Sequence, residues 1–256
     1  NKKMILIFPP QWTPISPHFA LASLMGQLKR EKYNAECIDL NIEFYDEILT
    51  KDYLNKTIEK IKHDYLELFK NIRKIYTKDK KTKKYTIDEQ CDLYKFHKIK
   101  EFYSTGNNFY EKLPALIELA KKVVRTKETF YNPSDLIRAM NIIDSSLKLV
   151  SLSYLPTNIE FEACYNSFMK LNYESIRHFV FDKKSNIFWN FHKKYVENIK
   201  KINPDFAAIS LNSSSQLISG LTLTYLLKKY TKAHVNIGGN FFGRIKDEIA
   251  RHPEMS

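Results

Sequence analysis

Two short apolar runs, with one helix-length segment between them, constrain this chain more than any other feature. Phe206 to Leu211 (FAAISL) is almost unbroken apolar sequence, and Asn212 to Gln216 is small and polar. Leu217 to Tyr230 has apolar residues at helical spacing, and Val235 to Gly239 is apolar again and ends in Gly-Gly. A strand buried on both faces reads as a continuous apolar run, so strand, loop, helix and strand in this order make a parallel βαβ unit with a right-handed crossover. Ligands of such sheets lie outside the carboxyl ends of the strands. Here those ends carry Ser210-Leu211-Asn212-Ser213-Ser214-Ser215 and Gly238-Gly239-Asn240, small side chains and exposed amides that let a bulky ligand approach the backbone.

The N-terminus supplies a matching half. Met4 to Phe8 is a second apolar strand, and Pro9 to Pro17 is kept irregular by its four prolines. His18 to Arg30 is amphipathic, and Ala35 to Leu40 is another strand. The expected architecture is α/β: a Rossmann-like parallel sheet from residues 1–41 and 185–256, interrupted by a large all-helical insertion over residues 42–184.

Within the insertion, the periodicity predicts one helix from Asn41 to Tyr76, a charged break at Lys78 to Lys84, helices over Thr86 to Phe102 and Phe109 to Thr126, and a turn at Gly106. A helix over Leu136 to Leu149 is expected with Ser134 as its cap, then an irregular piece at Ser151 to Asn158 and a short helix from Glu160 to Lys170. Ser185 to Lys201 is read as the helix that leads into the Phe206 strand.

The 256 residues hold 41 Lys and Arg against 29 Asp and Glu, a net charge of +12. The excess follows a Lys-rich composition, and a solvated helical face accounts for it as well as a nucleic-acid patch does, so a nucleic-acid partner is not favoured. No run of eighteen apolar residues exists, which sets the expectation of a soluble, cytoplasmic chain with no membrane partner. Three cysteines, Cys37, Cys91 and Cys164, are far apart and lack metal-ligand spacing.

The sequence holds no Cys-x-x-Cys, no Gly-x-Ser-x-Gly and no phosphate loop, and no catalytic residue and no protein metal ligand can be nominated. His18 is a ligand candidate or a plain helix start. Asp39 and Asn41 follow a strand end as a ribose-binding acid would, but the first loop lacks Gly-x-Gly-x-x-Gly. In that loop Trp12 reads as an exposed aromatic tip, with hydroxyls at Thr13 and Ser16, suited to a broad, partly apolar ligand.

Taken together, ILIFPPQWTPISPHFALASLMGQLKREKYNAECIDLN, PDFAAISLNSSSQ and VNIGGN resemble the cobalamin-binding domain at the N-terminus of B12-dependent radical S-adenosylmethionine proteins. LKLVSLSYLPTNIEF is similar to a segment of members with a helical insertion, some of which mature ribosomally made peptides. The resemblance implies cobalamin (B12) over the carboxyl ends of the strands. Pro10, Gln11, Trp12, Thr13 and Ser16 would touch the corrin edge; Ser210, Asn212, Ser213 and Ser214 would bind corrin amides or the nucleotide tail; and Gly238, Gly239 and Asn240 would make room for the dimethylbenzimidazole end. Such neutral groups suit the corrin's amides without burying charge.

Two departures matter. The Asp-x-His-x-x-Gly motif that supplies a histidine to cobalt in some cobalamin domains is missing from PPQWTPIS, so the cobalt is expected without a protein histidine. The Cys-x-x-x-Cys-x-x-Cys that holds a [4Fe-4S] cluster is nowhere in the chain. The sequence therefore reads as an N-terminal fragment. Its expected partner is a C-terminal radical S-adenosylmethionine domain, and the complete enzyme would carry out methyl transfer or related radical chemistry on a peptide or small-molecule substrate. The alternative is a non-catalytic interaction module of the same fold that has lost the cofactor; bulky side chains such as Trp12, Phe241 and Phe242 filling the groove would mark it.

Overall fold

The structure, a computed structural model, describes residues 2–15, 18–77, 85–104 and 109–251. The expected turn at Gly106 and the charged break at Lys78 to Lys84 lie outside the described residues. The chain divides into two compact units: Asn1–Tyr45, Glu162–Tyr165 and Met169–Ser256 form a sheet unit, and Asp46–Phe161 with Asn166–Phe168 form a helical unit.

The sheet unit has four parallel strands: β1 (Lys3–Phe8), β2 (Asn34–Asp39), β5 (Phe206–Ser210) and β6 (His234–Gly238). Two short strands, β3 and β4, lie in the chain between β2 and β5. The spatial order in the parallel sheet is β2-β1-β5-β6, with Leu6 beside Cys37 and Ala208, and Ile209 beside Ile237. This α/β sheet matches the expected class. The connection β1 to β2 runs through helix α1 (Phe19–Arg30) in one direction, and β5 to β6 runs through α10 (Leu217–Tyr230) in the other. The order reverses between β1 and β5, and there the carboxyl-end loops diverge and open a crevice.

Pleating decides which residues meet which helix. Leu6, Phe8 and Ala208 face α1 and pack with Leu21, Met25 and Leu28. Ile5, Ile7, Ala207 and Ile209 alternate to the opposite face and are fully buried, each aliphatic Ile worth about 1.5–3 kcal/mol of hydrophobic stabilisation. On that second face Leu217 of α10 packs with Ile176 and Val180 of α8 (Tyr173–Phe181), and Phe241 of α11 (Asn240–Arg251) joins them. Helix α9 (Phe188–Ile202) runs against α10, ends at Asn203 in the left-handed region (φ 50°) and hands the chain through Pro204 to β5.

One consequence concerns β6, which was expected to be buried on both faces. Among the described residues no helix of this unit covers β6 on the α1 side, and on β5 the α1 cluster reaches Ala208. Ala208 and Ser210 are half-buried there, and His234, Asn236 and Gly238 are exposed.

In the helical unit the expected single helix breaks in two. Helix α2 (Leu40–Ile48) starts in the sheet unit, and α3 (Lys51–Thr77) begins afresh because the Thr50 hydroxyl accepts from the Tyr53 amide as an N-terminal cap. Helix α4 (Ile87–Ser104) opens on a capping box, with Thr86 Oγ1 accepting from the Glu89 amide and Glu89 returning the bond. After α5 (Phe109–Arg125) and the single turn α6 (Lys127–Phe130), α7 runs over Pro133–Tyr154. Its cap is Asn132, whose side chain accepts from the Ser134 and Asp135 amides, and not Ser134. Pro133 fills the first helical position, where no amide is needed. The helix expected over Glu160–Lys170 does not form. A two-stranded piece, β3 (Thr157–Ile159) with β4 (Cys164–Asn166), takes its place, because Asn158 and Asn166 bond to nearby backbone and hydroxyl groups that a helix would have claimed.

Lys95 of α4 is buried in this unit. With Lys60 it shares the Asp64 carboxylate (2.6 and 2.7 Å) and the Ser153 carbonyl near the end of α7 (2.8 and 3.0 Å). Burial and the neighbouring Lys60 lower the Lys95 pKa; burial opposes ionisation of Asp64, but the hydrogen bonds from Lys60 and Lys95 outweigh it and hold the carboxyl below the usual range.

Candidate functional site

The crevice between β1 and β5 is shaped by two loops held together from inside. Gln216 is fully buried: its Oε1 accepts from the Asn212 amide (2.7 Å) and its Nε2 donates to the Pro9 carbonyl (2.7 Å), 207 residues away. One side chain thus fixes the spacing of the two carboxyl-end loops. The first loop is tied at its other end by Asn41, which accepts from the Trp12 amide (2.9 Å) and donates to the Trp12 carbonyl (3.0 Å). Asp39, read as a candidate ribose acid, caps α2 instead by accepting from the amides of Asn41 and Ile42.

Asn212 is the junction of the site. Its Oδ1 accepts from the Asn240 amide (3.3 Å), which fixes the orientation of the carboxamide and turns Nδ2 toward His18 Nε2 (2.7 Å) and Ser210 Oγ (3.4 Å). Since Nδ2 only donates, His18 Nε2 accepts, and the ring is the neutral tautomer with its proton on Nδ1. Burial lowers the His18 pKa against the opposing pull of Asp39, which favours the same neutral form. The imidazole stacks on Phe8 at 4.3 Å between ring centres. Two polar atoms here are buried without a hydrogen-bond partner among the described residues: His18 Nδ1, a donor, and Thr13 Oγ1, which can donate or accept.

The residues proposed from sequence separate into two sets. Ser210, Asn212 and Asn240 come together around the Asn212 carboxamide; Ser213 caps the short 3₁₀ turn that follows by accepting from the Ser215 amide (3.1 Å); Ser214 is exposed. Thr13, in the first loop, is half-buried. Pro10 and Gln11 are buried, with the Gln11 amide donating to the Tyr45 hydroxyl, whose pKa burial pushes up. Trp12 is not an exposed tip: it packs half-buried against Phe8 and His18 with ring centres 6.4 and 6.3 Å away. Ser16 lies outside the described residues.

The two glycines differ sharply. At Gly239, with φ +105°, a Cβ would lie 2.7 Å from the Leu211 nitrogen and 2.8 Å from its carbonyl carbon and would overlap its carbonyl oxygen, so the room there is taken by the backbone just past β5. At Gly238 a Cβ would meet nothing within 4 Å. Gly238 pairs in register with Ser210, and the two stand side by side on the uncovered face, continuous with the crevice.

Among the described residues no group of three or more His, Cys, Asp or Glu could hold a metal ion, and no helix is long and apolar enough to cross a membrane. Cys37 is exposed, Cys91 and Cys164 are half-buried, and burial pushes the Cys164 thiol up to about 12, far from a reactive thiolate. Sequence reasoning missed Gln216 and left Asn41 as a ligand candidate; a lone Gln between a polar loop and a helix gives no spacing signal.

No protein-family model, no curated protein and no solved structure matches this chain.

Proposed function

We propose that the sheet unit binds cobalamin, with the corrin above the β1–β5 crevice and the nucleotide tail against the uncovered face of β5 and β6. The observation that carries this reading is the open strip formed by Ser210, Asn236 and Gly238, which runs into a crevice lined by neutral polar groups. The donors fit the group. Thr13 Oγ1 and His18 Nδ1 are buried with no hydrogen-bond partner among the described residues and would meet the corrin's amides, Ser213 and Ser214 carry hydroxyls, and no ionised side chain is needed. Cobalamin would supply a cobalt-bound methyl or a related one-carbon or radical function. This chain would bind and orient it, with no histidine offered to the metal, since His18 Nε2 is engaged by Asn212.

Of the aromatic residues that would mark a lost cofactor, Phe241 packs on the α10 side and Phe242 lines a groove on that same side, whereas Trp12 packs half-buried on Phe8 and His18 at the crevice. Two of the three leave the crevice clear, and binding of hydroxocobalamin separates the cofactor-binding reading from the interaction module. By the resemblance of its loops, the domain would serve a radical S-adenosylmethionine domain with its own [4Fe-4S] cluster. Hydrogen exchange with and without hydroxocobalamin tests the placement. Slowed exchange at Asn212–Gln216 and Asn240 supports it, and slowing confined to other surfaces sinks it.

A further inference from the structure

Among the described residues no strand pairs with the outer edge of β6. The His234 amide donates to the Asp205 carbonyl and the Gly238 carbonyl accepts from the Leu211 amide, so by alternation Val235 and Ile237 direct their N–H and C=O groups outward, away from β5. Sheets guard such edges with charge, proline or bulges. The opposite edge, β2, carries Glu36 and Asp39, and Glu36 pairs with Lys3 (3.1 Å). Strand β6 reads His-Val-Asn-Ile-Gly and has none of these guards.

Beside this edge, on the face away from the proposed cofactor strip, lies a groove of about 550 Å³. Val235, Ile237 and Leu221 form its floor, the exposed ring of Phe181 meets Tyr225 at 4.8 Å along its wall, and Arg177 and Lys228 stand at its rim. Both cations are exposed, and among the described residues neither forms an ion pair and no carboxylate lines the groove. An exposed apolar groove next to unpaired strand amides, rimmed by cations only, is complementary to one kind of occupant.

We infer that β6 accepts an extended polypeptide segment of a partner, paired as a fifth strand, with apolar side chains dropped into the groove and acidic side chains answering Arg177 and Lys228. The backbone bonds would give affinity and the alternate side chains selectivity. The rim charges make the choice of sign.

The test is fluorescence anisotropy of the 256-residue chain with a labelled peptide Asp-Thr-Val-Thr-Val-Thr-Asp, whose groove-facing set is Asp, Val, Val and Asp. Saturable binding is expected, with the counterpart bearing Lys in place of both Asp about tenfold weaker or worse. Arg177→Glu with Lys228→Glu, exposed positions on helices that leave the core untouched, should reverse that preference. N-methylation of one alternate set of peptide amides should abolish binding, and methylation of the other set should not. Equal binding of the acidic and basic peptides, indifference to the charge reversal, or tolerance of both methylation patterns would overturn the inference. So would no binding near millimolar peptide, or a dimer of the chain itself that buries the β6 edge.

Discussion

Adjacent glycines at the end of β6 should behave oppositely when a single methyl is added. Gly239→Ala puts a Cβ onto the Leu211 backbone at φ +105°, where an L-residue is strained and the obstacle cannot rotate away. Backbone strain of about 1–3 kcal/mol and overpacking of about 1–3 kcal/mol sum to a loss of about 2–6 kcal/mol. Gly238→Ala meets open space in an ordinary strand conformation and should be neutral or gain about 0.5–1 kcal/mol, because alanine loses less chain entropy on folding. Urea unfolding followed by tryptophan fluorescence is the natural assay, since the two tryptophans, Trp12 and Trp189, both sit in the sheet unit and report on it alone. With an m-value of about 2 kcal/mol/M, the two midpoints should differ by about 1 M or more. Midpoints that agree to within about 0.3 M, or a less stable Gly238→Ala, would refute the assignment of Gly239 to the fold and of Gly238 to open surface.

Other outcomes follow from the same geometry. Gln216→Leu strips partners from the buried Asn212 amide and Pro9 carbonyl and should cost about 2–5 kcal/mol by the same fluorescence assay; a loss under about 1 kcal/mol would mean that the staple is dispensable. His192, fully buried with Nε2 on Ser219 Oγ (2.8 Å), has its pKa lowered by burial to about 3, so the unfolded chain takes up the proton first. Its contribution is intact above pH ~6.5 and fades as pH falls toward 3, by about 2 kcal/mol at pH 5. His192→Leu should flatten the stability profile between pH 7 and 5, and an unchanged slope would count against this origin. In the helical unit, Asp64→Asn leaves Lys60 and Lys95 facing each other and should cost about 3 kcal/mol, whereas Lys95→Met should change stability by less than about 1 kcal/mol. Thermal melting followed by circular dichroism separates the two, and equal losses would contradict the shared-carboxylate account.

The sheet was legible because its strands and α10 are decided by apolar runs and periodicity, which local sequence carries; Leu217–Tyr230 is helical over the whole expected span. What was not legible turns on single polar side chains. Thr50 breaks a helix that looks continuous in its apolar stripe, and Asn132 displaces Ser134 as a cap because its amide reaches two backbone donors. Helix α8, which follows the Asn172 cap, has too short an apolar stripe to stand out. At the site, Ser210, Asn212 and Asn240 could be read from their places at strand ends. The staple of Gln216 to Pro9 and the clasp of Asn41 on Trp12 could not, since each joins residues far apart in the chain. Gly-Gly announced a close approach, but only the backbone shows that at Gly239 the approaching group is Leu211.

The measurement that bears most directly on the proposed function is a visible absorbance titration of hydroxocobalamin with the chain and with Gly238→Leu, a substitution on the tail strip whose Cβ meets nothing within 4 Å. The account predicts saturable binding with a base-off spectrum, since the tail with its benzimidazole would be drawn onto the β5–β6 strip and no histidine would replace it at the cobalt, and loss of that spectrum in Gly238→Leu. No spectral change with the unmodified chain, or an identical change with both proteins, would contradict cobalamin on this face of the sheet.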